Sequence, residues 1–178
     1  MINEIELVEL LRKERHEWLN ELQLIKAYLS LNRFEEIEKV IERIIIKSKN
    51  EAQISNLNIP KCAALLLTFN WYPHFFKLEY EVIGSGFMLN KYDEELTALL
   101  KRWLKVFDSC ASKTIENVMT LTFDIKEESA RLIFDFVGSL TDHQKIEELL
   151  QEDRLNQSFY LVEQYINETE AVIKLQIT

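Results

Sequence analysis

The stretch VELLRKERHEWLNELQLIKAYL, residues 8–29, carries apolar side chains at Val8, Leu11, Trp18, Leu22, Ile25 and Leu29. Their spacings alternate between three and four, with Arg15 interrupting. At about 100° per residue they fall on one stripe of a helix, the seam expected in a helical bundle. No Gly or Pro lies between Asn3 and Leu31, and strong helix formers are frequent, so one helix is predicted over that range. Leu31-Asn32-Arg33 breaks the pattern. Asn32 is predicted to cap a second helix, with Glu35 three residues on at the spacing of a capping box. Phe34, Ile37, Val40, Ile41, Ile44 and Ile45 give that helix its own stripe, running to about Ile54. The β-branched run Ile44-Ile45-Ile46 alone would read as a strand, but it sits inside a longer 3.6-residue period. Two helices joined by a tight turn cannot bury both stripes between themselves. The expectation is a homodimer whose hairpins form a four-helix bundle, unless the C-terminal half of the chain covers the hairpin instead.

Asn56-Leu57-Asn58-Ile59-Pro60 is the best boundary, dividing a hairpin domain at 1–57 from a second domain at 58–178. Beyond it Lys61 to Asn70 reads as a short helix. Phe76 to Ile83 alternates as a half-buried strand does. Asp93 to Ala111 is helical, with Leu96, Leu99, Leu100, Trp103, Leu104 and Phe107 on one face. Val118 to Ile125 and Arg131 to Val137 read as strands, Asp142 to Gln151 as a helix capped by Thr141 or Asp142. Ser158 to Ile166 and Ala171 to Ile177 read as a closing strand pair. Helices beside a largely antiparallel sheet make the fold class α+β.

Composition removes several functions. The 178 residues carry a formal net charge of −9, from 30 acidic and 21 basic side chains. A phosphate backbone wants the opposite balance, so nucleic acid is not an expected partner. No apolar run reaches the roughly 20 residues of a membrane span. Met1-Ile2-Asn3-Glu4-Ile5-Glu6 lacks the basic segment and apolar core of a secretory signal, and a cytoplasmic location is expected. Cys62 and Cys110 read as free thiols in or near the core. Only three glycines occur, Gly84, Gly86 and Gly138, too few for glycine-rich loops that wrap a nucleotide.

Of the three histidines, His16 has the suggestive neighbourhood. It lies about 120° around the helix from Leu22, off the seam. Arg12, Asn20 and Gln23 share its face at i−4, i+4 and i+7. A neutral imidazole attacks phosphorus without a strong base, so an outward His suits phosphoryl transfer. A surface histidine with no role is the plainer reading of that residue alone. Arg12, Lys13 and Arg15 form a basic cluster in an otherwise acidic chain, suited to an acidic partner, and exposed Leu19 would add contact area. His74, after Pro73, and His143, beside Asp142, share no metal-ligand spacing with His16, so no metal is expected.

Arg15-His16-Glu17-Trp18-Leu19-Asn20 resembles the H-box of sensor histidine kinases, in which the phospho-accepting histidine is followed by an acid and, at i+4, an asparagine. The resemblance extends to Leu22-Gln23-Leu24-Ile25-Lys26, Leu29-Ser30-Leu31, Thr68-Phe69-Asn70-Trp71 and Leu78-Glu79-Tyr80-Glu81-Val82, which in order and spacing are similar to the sporulation initiation phosphotransferase B family. It covers essentially the entire chain. Glu17 stands where that family more often has Asp, a change that keeps the charge. The resemblance implies a dimeric four-helix bundle and a C-terminal α/β sandwich like a histidine-kinase ATPase domain that has lost its nucleotide site. It implies a phosphohistidine at His16, loaded from the aspartate of a single-domain response regulator. The phosphoryl group would then pass to the aspartate of a transcription-regulating response regulator that commits the cell to sporulation. Arg12, Arg15, Glu17, Leu19, Asn20 and Gln23 are the expected phosphoryl or regulator contacts. No cofactor of its own is expected, the magnesium being the regulator's. An asparagine-rich box, an Asp-x-Gly-x-Gly stretch and a glycine-rich lid are all missing, which separates a phosphotransferase from a kinase. The competing readings are a non-catalytic dimeric scaffold for a response regulator and an ATP-dependent histidine kinase.

Overall fold

The computed structural model describes residues 4–153 and 158–178. Helix α1 spans Glu4–Ser30 and α2 spans Phe34–Ser55; the predicted start at Asn3 lies outside the described residues. The turn between them differs from expectation in its chemistry. Asn32 takes a left-handed φ of 56°. Arg33 N–H donates to the Tyr28 carbonyl at 2.9 Å and Asn32 N–H to that of Leu29 at 3.1 Å. These two bonds make a Schellman closure, so Asn32 ends α1 and does not cap α2. Asparagine is favoured in both places, which is why spacing alone chose the wrong one.

The chain forms two compact units, Met1–Lys49 and Asn50–Thr178, dividing inside α2. In the first, Val40 is buried, while Leu10, Leu24, Ile25, Tyr28, Ile37 and Ile44 are half-buried. The predicted seam is open: Trp18 is 49% exposed, Leu22 56% and Phe34 60%, with Leu11, Leu29, Ile41 and Ile45 also exposed.

In the second unit α3 (Pro60–Phe69), β1 (Lys77–Gly84), α4 (Asp93–Cys110), β2 (Val118–Ile125), β3 (Ala130–Val137), α5 (Gln144–Asp153), β4 (Phe159–Ile166) and β5 (Glu170–Ile177) follow in order. The sheet runs β1-β2-β3-β5-β4. The β1–β2 pair is parallel and the rest antiparallel. Met119, Leu121, Phe123 and Ile125 of β2 alternate inward with Leu132, Phe134 and Phe136 of β3 and Ile173, Leu175 and Ile177 of β5. The inner face of α4 meets them, with the Trp103 ring 4.7 Å from Phe134 and Phe107 5.7 Å from Phe136. A hairpin followed by this two-layer unit is the α+β class the sequence predicts.

Two polar side chains and one glycine tie the second unit's ends. Asn70, the C-cap of α3, pairs with both backbone groups of Leu78, donating to its carbonyl at 2.7 Å and accepting its N–H at 2.9 Å. Asn117 is buried; its amide donates to the carbonyls of Phe75 and Ser112 and its oxygen accepts Ser139 N–H. Gly84, at φ 78° where β1 ends, could not carry a Cβ without driving it into the Ile125 carbonyl. Thr141 donates to the Cys110 carbonyl, so it does not cap α5. That helix starts at Gln144, two residues later than predicted, with Asp142 accepting Lys145 N–H at a long 3.4 Å. Both cysteines are free and buried. Burial, helped by Asp93, pushes the Cys62 thiol up to about 12, and burial raises that of Cys110.

Candidate functional site

His16 occupies the middle of α1, a 27-residue helix whose length comes from an unbroken run of helix formers. It is exposed. Residues three, four and seven apart share a helix face, so Arg12, Leu19, Asn20 and Gln23 border the ring, and all four are exposed. Arg15, also exposed, falls in line with Leu11, Trp18 and Leu22 at the edge of the apolar seam. The site is therefore an open ridge carrying one imidazole, one guanidinium group and two amides, with the second guanidinium, that of Arg15, on the adjoining seam. It can offer a ring nitrogen in a straight line to a group held by another macromolecule.

Glu17 is placed differently. It is half-buried on the side of α1 that faces α2, and its carboxylate binds Lys47 Nζ at 2.6 Å. One turn on, Glu21 binds Arg43 at 2.7 Å. Reading by residue type found none of Glu21, Arg43 or Lys47. The available signal was the matched spacing: acids at i, i+4 on one helix and cations at i, i+4 on the next.

Of the other histidines, His74 is held in place by its ring contacts. His74 stacks on Phe69 with ring centroids 3.8 Å apart, and its Nδ1 lies 3.2 Å from the Asp108 carboxylate. The other oxygen of Asp108 accepts Phe75 N–H at 2.7 Å. His143 turns its carbonyl to Ile146 and Glu147 at the start of α5. Among the described residues no group of three His, Cys, Asp or Glu side chains is arranged to hold a metal. No described helix is long and apolar enough to cross a membrane.

Residues 1–57 match the family described as the sensor kinase SpoOB-type alpha-helical domain, and residues 58–178 match the C-terminal domain of sporulation initiation phospho-transferase B. The sporulation initiation phosphotransferase B of Bacillus subtilis is 38% identical over 148 residues, 82% of this chain and 77% of that protein. Among solved structures, the histidine kinase domain of the Erythrobacter litoralis EL346 blue-light activated kinase is 12% identical with a TM-score of 0.44, covering 65% of this chain and 57% of that one. A bacterial phosphotransferase is 11% identical with a TM-score of 0.37, covering 98% of both chains.

Proposed function

The chain belongs to the sporulation initiation phosphotransferase B family, and from that membership we propose that His16 is the residue through which it relays phosphoryl groups between response regulators. A phosphorelay phosphotransferase role in sporulation follows from the membership itself. The observation supporting His16 is its exposure on a polar ridge of α1 beside two arginines.

In the proposed reaction the Nε2 lone pair of a neutral His16, protonated at Nδ1, attacks the phosphorus of an aspartyl phosphate in line. The P–N bond forms as the P–O bond to the aspartate breaks and a carboxylate leaves. In the second half an aspartate oxygen of the next regulator attacks the same phosphorus, and the neutral imidazole returns. Positioning and charge compensation do most of the work in such transfers. Arg12 and Arg15 offset the incoming dianion, while Leu19, Asn20 and Gln23 meet the docked regulator. The magnesium belongs to the regulator's acidic pocket, and the chain needs no cofactor of its own. The donor is a single-domain regulator, the acceptor one that regulates transcription, and the setting is the cytoplasm.

The protein acts as a homodimer whose two hairpins make a four-helix bundle, with residues 1–57 as the dimerisation and transfer domain. The open seam supports this, because a continuous apolar stripe on a long hairpin invites association. Leu22→Lys is expected to weaken the dimer by about 3 kcal/mol or more, since symmetry places the change in the interface twice. Sedimentation at micromolar concentration would then show monomer where the parent protein is dimeric; an unshifted dimer would reject the seam as the interface.

The relay itself is tested with a labelled, phosphorylated single-domain regulator. Label reaching the chain and then a second regulator supports it. Label taken from ATP alone would make the protein a kinase, and binding without label would make it a scaffold.

A further inference from the structure

We propose that Lys47 and Arg43 of α2 are positioning residues for His16, setting the rotation of α1 through their ion pairs with Glu17 and Glu21. The inference rests on the reading of His16 as the phosphoryl carrier.

It starts from what is missing between the helices at the level of His16. From Leu11 to Gln23 the only residues of α1 that are not exposed are Glu14, Glu17 and Glu21. The half-buried apolar positions, Leu10 on one side and Leu24, Ile25 and Tyr28 on the other, lie outside this window. On α2 the facing stretch offers one half-buried apolar side chain, Ile44, flanked by Arg43 and Lys47. Apolar packing is what ordinarily sets how one helix is turned against another. Between α1 and α2 of one hairpin the thirteen residues around His16 present an acidic inner face, so at this level ion pairs link the two helices, while the seam of Leu11, Trp18 and Leu22 is left for the partner hairpin.

The two pairs are suited to it. Lys47 Nζ–Glu17 Oε2 is 2.6 Å and Arg43 Nη2–Glu21 Oε2 is 2.7 Å. Acids and cations are each four apart, so the pairs step together along antiparallel helices and resist rotation as a couple. Glu17 follows His16 directly, and adjacent helix residues point about 100° apart. Anchoring Glu17 inward therefore aims His16 outward. All four side chains are partly exposed, from 30% to 58%. Such pairs add little to stability, which leaves orientation as their larger effect.

The test uses the full chain with a phosphorylated single-domain regulator as donor. Arg43→Glu is expected to lower the saturated transfer rate about tenfold, with half-saturation shifted less than about twofold, because a misaimed nucleophile loses rate before docking. The exchange Glu21→Arg with Arg43→Glu should recover the rate to within about threefold, which loss of charge or general destabilisation would not do. Lys47→Glu should lower the saturated rate in the same direction. If a reversal unfolds the hairpin by circular dichroism, the neutral Arg43→Gln carries the rate measurement. A reversal that transfers at the parent rate, or a loss that exchange leaves in place, overturns the proposal. A His16→Gln control separates the premises: transfer surviving there defeats the reading of His16, whereas an inactive control beside fully active reversals defeats the positioning role alone.

Discussion

A His16→Gln variant is expected to accept no label from a phosphorylated regulator and to pass none on, a loss of about a thousandfold or more, because the covalent carrier is gone. Glutamine keeps a polar side chain of similar reach but has no ring nitrogen with a free lone pair. His16 is exposed, so stability should change by no more than about 0.5 kcal/mol. The two halves of that statement are checked together, by autoradiography of the mixture and by thermal melting. Label on another residue of the variant, followed by arrival on the acceptor, would show that the imidazole is dispensable.

The second large effect is on folding. Trp103→Ala is expected to destabilise the second unit by about 3–5 kcal/mol, the range for removing a large buried aromatic. Trp103 is 0% exposed, sits on the inner face of α4 and tilts at 35° against Phe134. Its indole lies between helix and sheet against the Phe134 ring of β3. Urea unfolding followed by circular dichroism should show the C-terminal transition displaced to much lower denaturant. A midpoint shift worth less than about 1 kcal/mol would mean that the site collapses, and that α4 is held chiefly by its other apolar residues.

Periodicity made the helices and strands legible because burial of one face leaves a repeat that residue type alone records. The open seam of Leu11, Trp18, Leu22 and Phe34 was visible for the same reason. Neighbour relations were not. The parallel pairing of β1 with β2 depends on a crossover through α4, and alternation within a strand names no partner. Asn32 was misassigned because its side chain suits a cap and its backbone suits a left-handed closure, and only the Tyr28 and Leu29 carbonyls decide between them. Thr141 was drawn away from α5 by the Cys110 carbonyl, a group 31 residues distant in the chain. At the site, His16 and its face could be placed from helix geometry. Glu17 read as a phosphoryl or regulator contact and Glu21 was not singled out, because their ion pairs need Lys47 and Arg43 of α2, which no spacing within α1 reveals.

The buried thiol of Cys62 turns the protein into its own reporter. Only the thiolate reacts at useful speed with alkylating agents, and a group pushed up to about 12 holds almost none at neutral pH while the fold is closed. Chemical tagging of Cys62 must therefore wait for breathing of the helix that carries it. Under excess reagent the tagging rate would count those excursions, giving a stopwatch for the second unit that needs no introduced probe.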